Sequence, residues 1–353
     1  MNPMSMLAIA ASTVALGYAL YRLHLGFWRK RLFSALPYAE EHRIPTEDGA
    51  HFELRRLPCE TPDPEKPPVL LVHGLGANHR NHDAWEGASL ARYLAARGSD
   101  VWLLTLRSGL PRGIPSRLVR FAAMVQHDVP QAVAEVRRRT GADAIDYVGF
   151  SMGGMLLYAA IGASLPSTDV RKVGIIGSPA RVVLPQLVKW VDRLPDFLIP
   201  GARYTSTARF WAFAVGWIPT TPLHYLVFNP SNVERHAAGR ALMTLVEDVP
   251  RGLQLDFLAF ARNGGDVRTS GVSVMDSLAN IRNPVLFLAG AGDVLGAPAT
   301  LVPAFDAWGS PDKQMHVLGR NTGTEHDYGH GDLAIGRHVE RDVFARIEEF
   351  LRR

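Results

Sequence analysis

The sequence predicts an α/β fold: a doubly wound, mostly parallel sheet with an inserted helical cap and an N-terminal hydrophobic helix. Three observations predict it. Short apolar runs bounded by glycine alternate along the chain with helical patterns, which is how a parallel sheet covered by helices on both faces reads. One long stretch, residues 185–274, breaks that alternation. Residues 4–21 carry no charged side chain.

Composition agrees with a folded domain. The 353 residues are 47% hydrophobic and 20% charged, close to globular averages, which excludes a disordered or collagen-like chain. The single cysteine, Cys59, has no partner for an internal disulfide and rules out a Cys-based zinc site. A dispersed net charge of +4 gives no argument for nucleic acid.

The first element is the run 4–21. At 1.5 Å per residue it reaches about 27 Å, just short of a ~30 Å hydrocarbon core. Arg22 follows, then Arg29, Lys30 and Arg31, with Phe27 and Trp28 where an interface would lie. This flank predicts a membrane anchor at residues 1–31 that leaves the rest of the chain in the cytoplasm. No Lys or Arg precedes the run, which counts against a cleaved signal peptide. Export of the chain is the alternative.

A strand at 51–57 and a proline-rich link at 58–68 come next, within a first part of the core at 40–184. Strands at 69–72, 101–104, 145–148 and 173–176 alternate there with helices at 89–97, 129–139 and 152–161. Pro130 is tolerated in a first helical turn. A second part, 275–353, supplies strands at 285–288 and 314–317 and an amphipathic closing helix at 339–351. The stretch between them is rich in aromatics, including Trp190, Phe197, Tyr204, Phe210, Trp211 and Trp217. It is too long for an ordinary loop and is predicted to be a mainly helical cap. Pro219 and Pro222 argue against a second straight membrane span at 210–228.

The chemistry begins where the 145–148 strand runs straight into a helix through Gly149-Phe150-Ser151-Met152-Gly153. A serine at the apex of such a turn has a strained backbone and projects its hydroxyl away from the sheet. Strand and helix pack closely on both sides, so Gly149, Gly153 and Gly154 supply the lack of bulk. The following helix aims amide dipoles at the apex, which favours developing negative charge. Ser151 is therefore the candidate nucleophile.

Acyl transfer needs two donors for the tetrahedral oxygen, usually backbone N–H groups. Met152, directly after the serine, supplies one. The second is assigned to Leu75, in the loop His73-Gly74-Leu75-Gly76 that follows the 69–72 strand. His73 is read as shaping this loop. His79, His82 and Asp83 lie nearby, but no further metal ligand accompanies them on the loop.

Serine also needs a base, and the base a carboxylate that fixes its tautomer. In sheets built around such an elbow, acid and then base follow in chain order. After the 285–288 strand comes Ala289-Gly290-Ala291-Gly292-Asp293, a tight turn that puts Asp293 at the right edge. Of the later histidines, His316 lies in a strand pattern and His338 in the closing helix. The loop between holds His326 and His330. His330 is chosen for its glycine neighbours, with His326 as runner-up, while Asp327 and Asp332 are read as loop or capping residues.

Together these elements resemble the α/β-hydrolase superfamily over roughly residues 45–184 and 280–353. The phrases PPVLLVHGLGANHRNHD, VGFSMGGMLLYAA and YGHGDLAIGR look like a bacterial lipase/esterase-like branch, similar also to acid lipases and polyhydroxyalkanoate synthases. The resemblance implies a Ser151–Asp293–His330 triad, with Leu75 and Met152 as oxyanion donors, acting on a hydrophobic carboxylic ester. The polyester synthases carry cysteine at the elbow and this chain carries serine, which favours hydrolysis. Acyl transfer to another acceptor through the same triad, and a non-catalytic ligand-binding relative, are the alternatives. No cofactor is indicated: there is no Walker motif, dinucleotide fingerprint or zinc spacing.

Overall fold

A computed structural model of the chain describes residues 3–33, 35–110, 114–199, 205–217, 220–269 and 271–353. Tyr204 and Pro219, invoked above, lie outside the described residues.

The core is one eight-stranded sheet. In chain order its strands are β1 (Glu40–Pro45), β2 (His51–Arg56), β3 (Val69–Val72), β4 (Val101–Thr105), β5 (Ile145–Phe150), β6 (Val170–Ile176), β7 (Val285–Gly290) and β8 (Lys313–Leu318). Across the sheet the order is β1-β2-β4-β3-β5-β6-β7-β8. β1 and β2 pair antiparallel, and so do β2 and β4, while every later pair is parallel. Each β4–β3–β5 neighbour is buried on both faces, as a parallel sheet requires. Alternate side chains feed two separate cores. Leu70, Val72, Trp102, Leu104 and Tyr147 face one, and Leu71, Leu103, Val148 and Phe150 face the other.

Every expected core strand is present, and β1 was not expected. Its exposure alternates and it carries Glu40, Glu41 and Arg43, so it lacks an apolar run. Pairing with β2, including a 2.8 Å Arg56–Glu40 ion pair, holds it at the sheet edge.

The flanking helices include α1 (Pro3–Leu32), α2 (Leu90–Ala95), α3 (Val129–Thr140), α4 (Met152–Ala160), α5 (Thr205–Trp211), α6 (Ala237–Thr244), α7 (Arg251–Arg262), α8 (Pro298–Ala307) and α9 (Ala345–Arg352). The helix expected at 339–351 begins as a wide π turn over Glu340–Phe344, and His338 stands before it. α1 runs without a break well past residue 21 and ends in Arg29, Lys30 and Arg31. It is long and apolar enough to cross a membrane by length and composition. Its last turns pack on the stretch between β6 and β7. Tyr21 stacks on Phe210 with centroids 6.0 Å apart, Trp28 stacks on Phe213 at 5.1 Å, and His24 Nε2 lies 2.9 Å from the Phe210 carbonyl.

The stretch between β6 and β7 is less regularly helical than expected. Three-residue-per-turn pieces at Gln186–Arg193 and Asp196–Leu198 precede α5, and a small antiparallel pair at Arg268–Thr269 and Val272–Ser273 follows α7. Pro185, Pro195 and Pro250 each stand just before a helical piece, where a proline cannot continue a preceding helix. The 210–228 run is not one helix: α5 ends at Trp211, and short turns follow at Val215–Trp217 and His224–Leu226.

Candidate active site

The sheet brings the singled-out residues to one edge. β3 ends at Val72 and leads into His73; β5 ends at Phe150 and leads into Ser151; β7 ends at Gly290, three residues before Asp293. The loop after β8 carries His330. In an open parallel sheet this carboxyl edge is where ligands bind.

Ser151 has φ 52° and ψ −117°, and it is the one non-glycine residue with positive φ among those described. That is a sparsely populated conformation, retained only where the surroundings over-determine it. They do so here. Ser151 N–H donates to the Ile176 carbonyl at 2.8 Å, and the Ser151 carbonyl accepts from Gly154 and Met155 N–H groups at 3.1 and 3.2 Å. Tyr147 in β5 donates its hydroxyl to the Gly153 carbonyl at 2.8 Å, tying strand to helix. The glycines are sterically required. A Cβ at Gly149 would sit 2.7 Å from Gly153 C, one at Gly153 would strike the Val72 carbonyl, and one at Gly154 would strike Ser178.

The candidate acid and base meet. His330 Nδ1 lies 2.7 Å from Asp293 Oδ2, with the His330 side chain 11% exposed and that of Asp293 fully enclosed. The other Asp293 oxygen accepts N–H groups of Leu295 and Gly296 at 2.8 and 2.7 Å. The carboxylate is thus fixed by its own turn and presents one oxygen to the imidazole. The Phe150 ring, next to the serine, lies 5.1 Å from the His330 ring. Gly177, just past β6, is a contributor that the sequence reading missed. A Cβ there would come within 3.3 Å of both Asp293 Oδ2 and His330 Cε1. A glycine one residue beyond an apolar run was the available signal, and the structure gives it a φ of +57°.

The His73–Gly76 loop lies against the serine, since a Cβ at Gly74 would stand 3.0 Å from Ser151 Cβ. Its backbone is pinned on both sides of Leu75. Gly74 N–H donates to Asn81 Oδ1 at 3.1 Å, and the Gly76 carbonyl accepts from Glu247 N–H at 2.8 Å. His73 is fully buried. Leu106 N–H donates to its Nε2 at 3.1 Å, so Nδ1 carries the proton and donates to the Gly74 carbonyl at 2.8 Å. Burial pushes its pKa down to about 4. His73 therefore shapes the loop.

The other candidates have other partners. The His326 ring stacks on His338, 6.4 Å between centroids, and His338 pairs with Glu325 at 2.9 Å. His82 donates to the Val72 carbonyl at 3.0 Å, His79 Nδ1 lies 2.9 Å from Thr105 Oγ1, and Asp83 pairs with Arg92 at 2.9 Å. Asp327 pairs with Arg320 at 3.1 Å. Asp332, expected as a loop or capping residue, opens the short helix Asp332–Ile335, and it is fully buried with its carboxylate turned to the segment that precedes α6.

A sequence profile of the α/β hydrolase fold matches residues 67–321. Gastric triacylglycerol lipase of Rattus norvegicus is 30% identical over 177 residues, 45% of this chain and 44% of its own length. The lysosomal acid lipase/cholesteryl ester hydrolase of Homo sapiens is 28% identical over 183 residues, 46% of this chain and 44% of its own. The chain thus spans less than half the length of these curated relatives. Among solved structures, a thermophilic esterase from Thermogutta terrifontis superposes with a TM-score of 0.57 at 21% identity, covering 89% of this chain and 98% of that one, a likeness of fold. The strained serine turn at the carboxyl edge of a mostly parallel sheet and the profile match over most of the chain have one meaning: the protein belongs to the α/β-hydrolase family.

Proposed function

We propose that the protein is a serine hydrolase that cleaves carboxylic esters of hydrophobic, lipid-like substrates through an acyl-enzyme. The observation that carries this reading is the 2.7 Å contact of His330 Nδ1 with an enclosed Asp293 carboxylate beside the strained Ser151 turn. In the proposed cycle, His330 Nε2 takes the Ser151 proton as the hydroxyl oxygen attacks the acyl carbon. Asp293 holds the imidazole by Nδ1–H and stabilises the imidazolium. Leu75 and Met152 N–H groups receive the oxyanion, worth about 3 kcal/mol per donor in comparable sites. His330 then returns the proton to the leaving alcohol, and water, activated by the same imidazole, releases the acid.

The similarity to lipases supports a hydrophobic substrate, and each buried methylene would add about 0.8 kcal/mol of binding. We read residues 185–274 as a cap inserted between two core parts, 40–184 and 275–353. Residues 1–31 are read as a single membrane anchor with the catalytic part on the cytoplasmic side. An aromatic seam ties anchor to cap, and the basic end of α1 supports that orientation.

A panel of p-nitrophenyl esters of increasing chain length, run on the full chain and on Ser151→Ala, tests the proposal. Turnover by the parent and a loss of about 10⁴-fold or more in kcat in the variant are expected. Equal turnover by the two proteins would reject the nucleophile.

A further inference from the structure

We infer that Asp332 is a positioning residue: it clamps the loop carrying His330 to the strap 227–232 of the inserted stretch, so that a competent histidine depends on that strap being seated. The inference rests on the triad proposed above.

Asp332 is fully buried and, among the described residues, has no cationic partner. Burial pushes its carboxyl up from the ordinary aspartate range, and hydrogen bonds from N–H groups oppose that. A buried carboxylate is costly to keep, so its donors show what it is for. Gly329 N–H, one residue before His330, donates to Oδ2 at 3.0 Å. The other two donors come from about a hundred residues upstream: Asn229 N–H to Oδ1 at 2.8 Å and Asn232 Nδ2 to Oδ2 at 3.1 Å. A residue that merely capped the short helix Asp332–Ile335 would need local donors only.

The clamp has more bonds than these three. Gly331 N–H donates to the Val227 carbonyl at 2.6 Å, Asn229 Nδ2 to the Asp327 carbonyl at 2.7 Å, and Arg337 N–H to the Asn232 carbonyl at 2.8 Å. Both amides adjoining His330 in sequence are therefore committed, Gly329 to Asp332 and Gly331 to the strap. The approach is close on both sides, forcing glycine at 329 and leaving little room at 331. A Cβ at Gly329 would lie 2.8 Å from Asn229 N, and one at Gly331 would lie 3.0 Å from the Val227 carbonyl. Asp332 touches backbone and an amide side chain, not reacting atoms. It acts through the placement of the imidazole, where an error of about 1 Å can cost about 10²-fold in rate.

The test compares the full-length parent with Asp332→Asn, Asn232→Ala, the double variant and Ser151→Ala. It follows kcat and KM on p-nitrophenyl butyrate and the rate of labelling by a fluorophosphonate. Asp332→Asn turns one acceptor into a donor facing an N–H and should lower kcat and labelling together by about 30-fold with KM within about threefold. Asn232→Ala leaves the carboxylate in place and should lower kcat by about fivefold, and the double variant should be no slower than Asp332→Asn, because the two act through one network. If Asp332→Asn does not fold, the kcat-against-KM split of Asn232→Ala decides alone. Unchanged kcat per folded molecule in either single variant overturns the clamp, as does strict additivity in the double. Unaltered turnover by Ser151→Ala overturns the triad instead, so the two failures are distinguishable.

Discussion

Two loops at the carboxyl edge of the sheet each carry a histidine, and they use it in opposite ways. The loop after β3 encloses His73 completely and spends both ring nitrogens on backbone, Nε2 on Leu106 N–H and Nδ1 on the Gly74 carbonyl. The loop after β8 spends, among the described residues, only Nδ1 of His330, on Asp293, and keeps a small part of the ring accessible. A ring whose two nitrogens are both committed cannot carry a proton in transit. A ring fixed at one nitrogen by a carboxylate has its tautomer set and its other nitrogen ready. The same side chain thus braces the proposed oxyanion loop on one side of Ser151 and is the proposed base on the other.

The largest expected effects break the catalytic half of this contrast. His330→Ala should lower kcat by about 10⁴-fold or more, and Asp293→Asn, which removes the carboxylate while keeping the shape, by about 10³–10⁴-fold. Steady-state kinetics with thermal melts of each variant check this, and a drop explained by lost folding would refute the assignment.

A smaller effect sharpens the bracing half. His73 and His82 are both fully enclosed, and burial pushes each down to about 4. The unfolded chain takes up a proton on each ring near pH 6.5, whereas the folded chain does so only near 4. The contribution of these two rings to stability is therefore whole above about pH 6.5 and is lost as pH falls towards 4, by at most about 3 kcal/mol per ring. Asp128, pushed up to about 6 by burial, contributes with the opposite sign, so urea midpoints at pH 7, 5.5 and 4.5 are compared between the parent and a variant lacking one ring. A His82→Gln variant should lose stability less steeply on acidification than the parent, and an identical slope would show that burial does not lower the pKa of this ring.

The smallest effect concerns the runner-up. His326 stacks on His338, while Asp293 is engaged by His330, so His326→Gln should leave kcat/KM within about twofold. A hundredfold loss would move the base to that position.

The legible parts of the molecule were those with a local cause. The elbow could be read because the change from strand to helix, the three glycines and the serine lie within six consecutive residues, 149–154. Asp293 and the His330 loop followed from their places after β7 and β8. What escaped depends on partners distant in sequence. β1 has no apolar run and is a strand because β2 lies beside it. Gly177 matters because Asp293 and His330 arrive next to it from more than a hundred residues away. Asp332 read as a loop or capping residue because its distant donors, Asn229 and Asn232, lie in a stretch with little regular pattern.

The most direct measurement is intact-mass analysis of the full chain after exposure to a fluorophosphonate, run beside Ser151→Ala and His330→Ala. The account predicts a single adduct mapping to Ser151 in the parent, none in Ser151→Ala, and labelling slowed by about 10³-fold or more in His330→Ala. An adduct on another residue, or His330→Ala reacting at the parental rate, would contradict it.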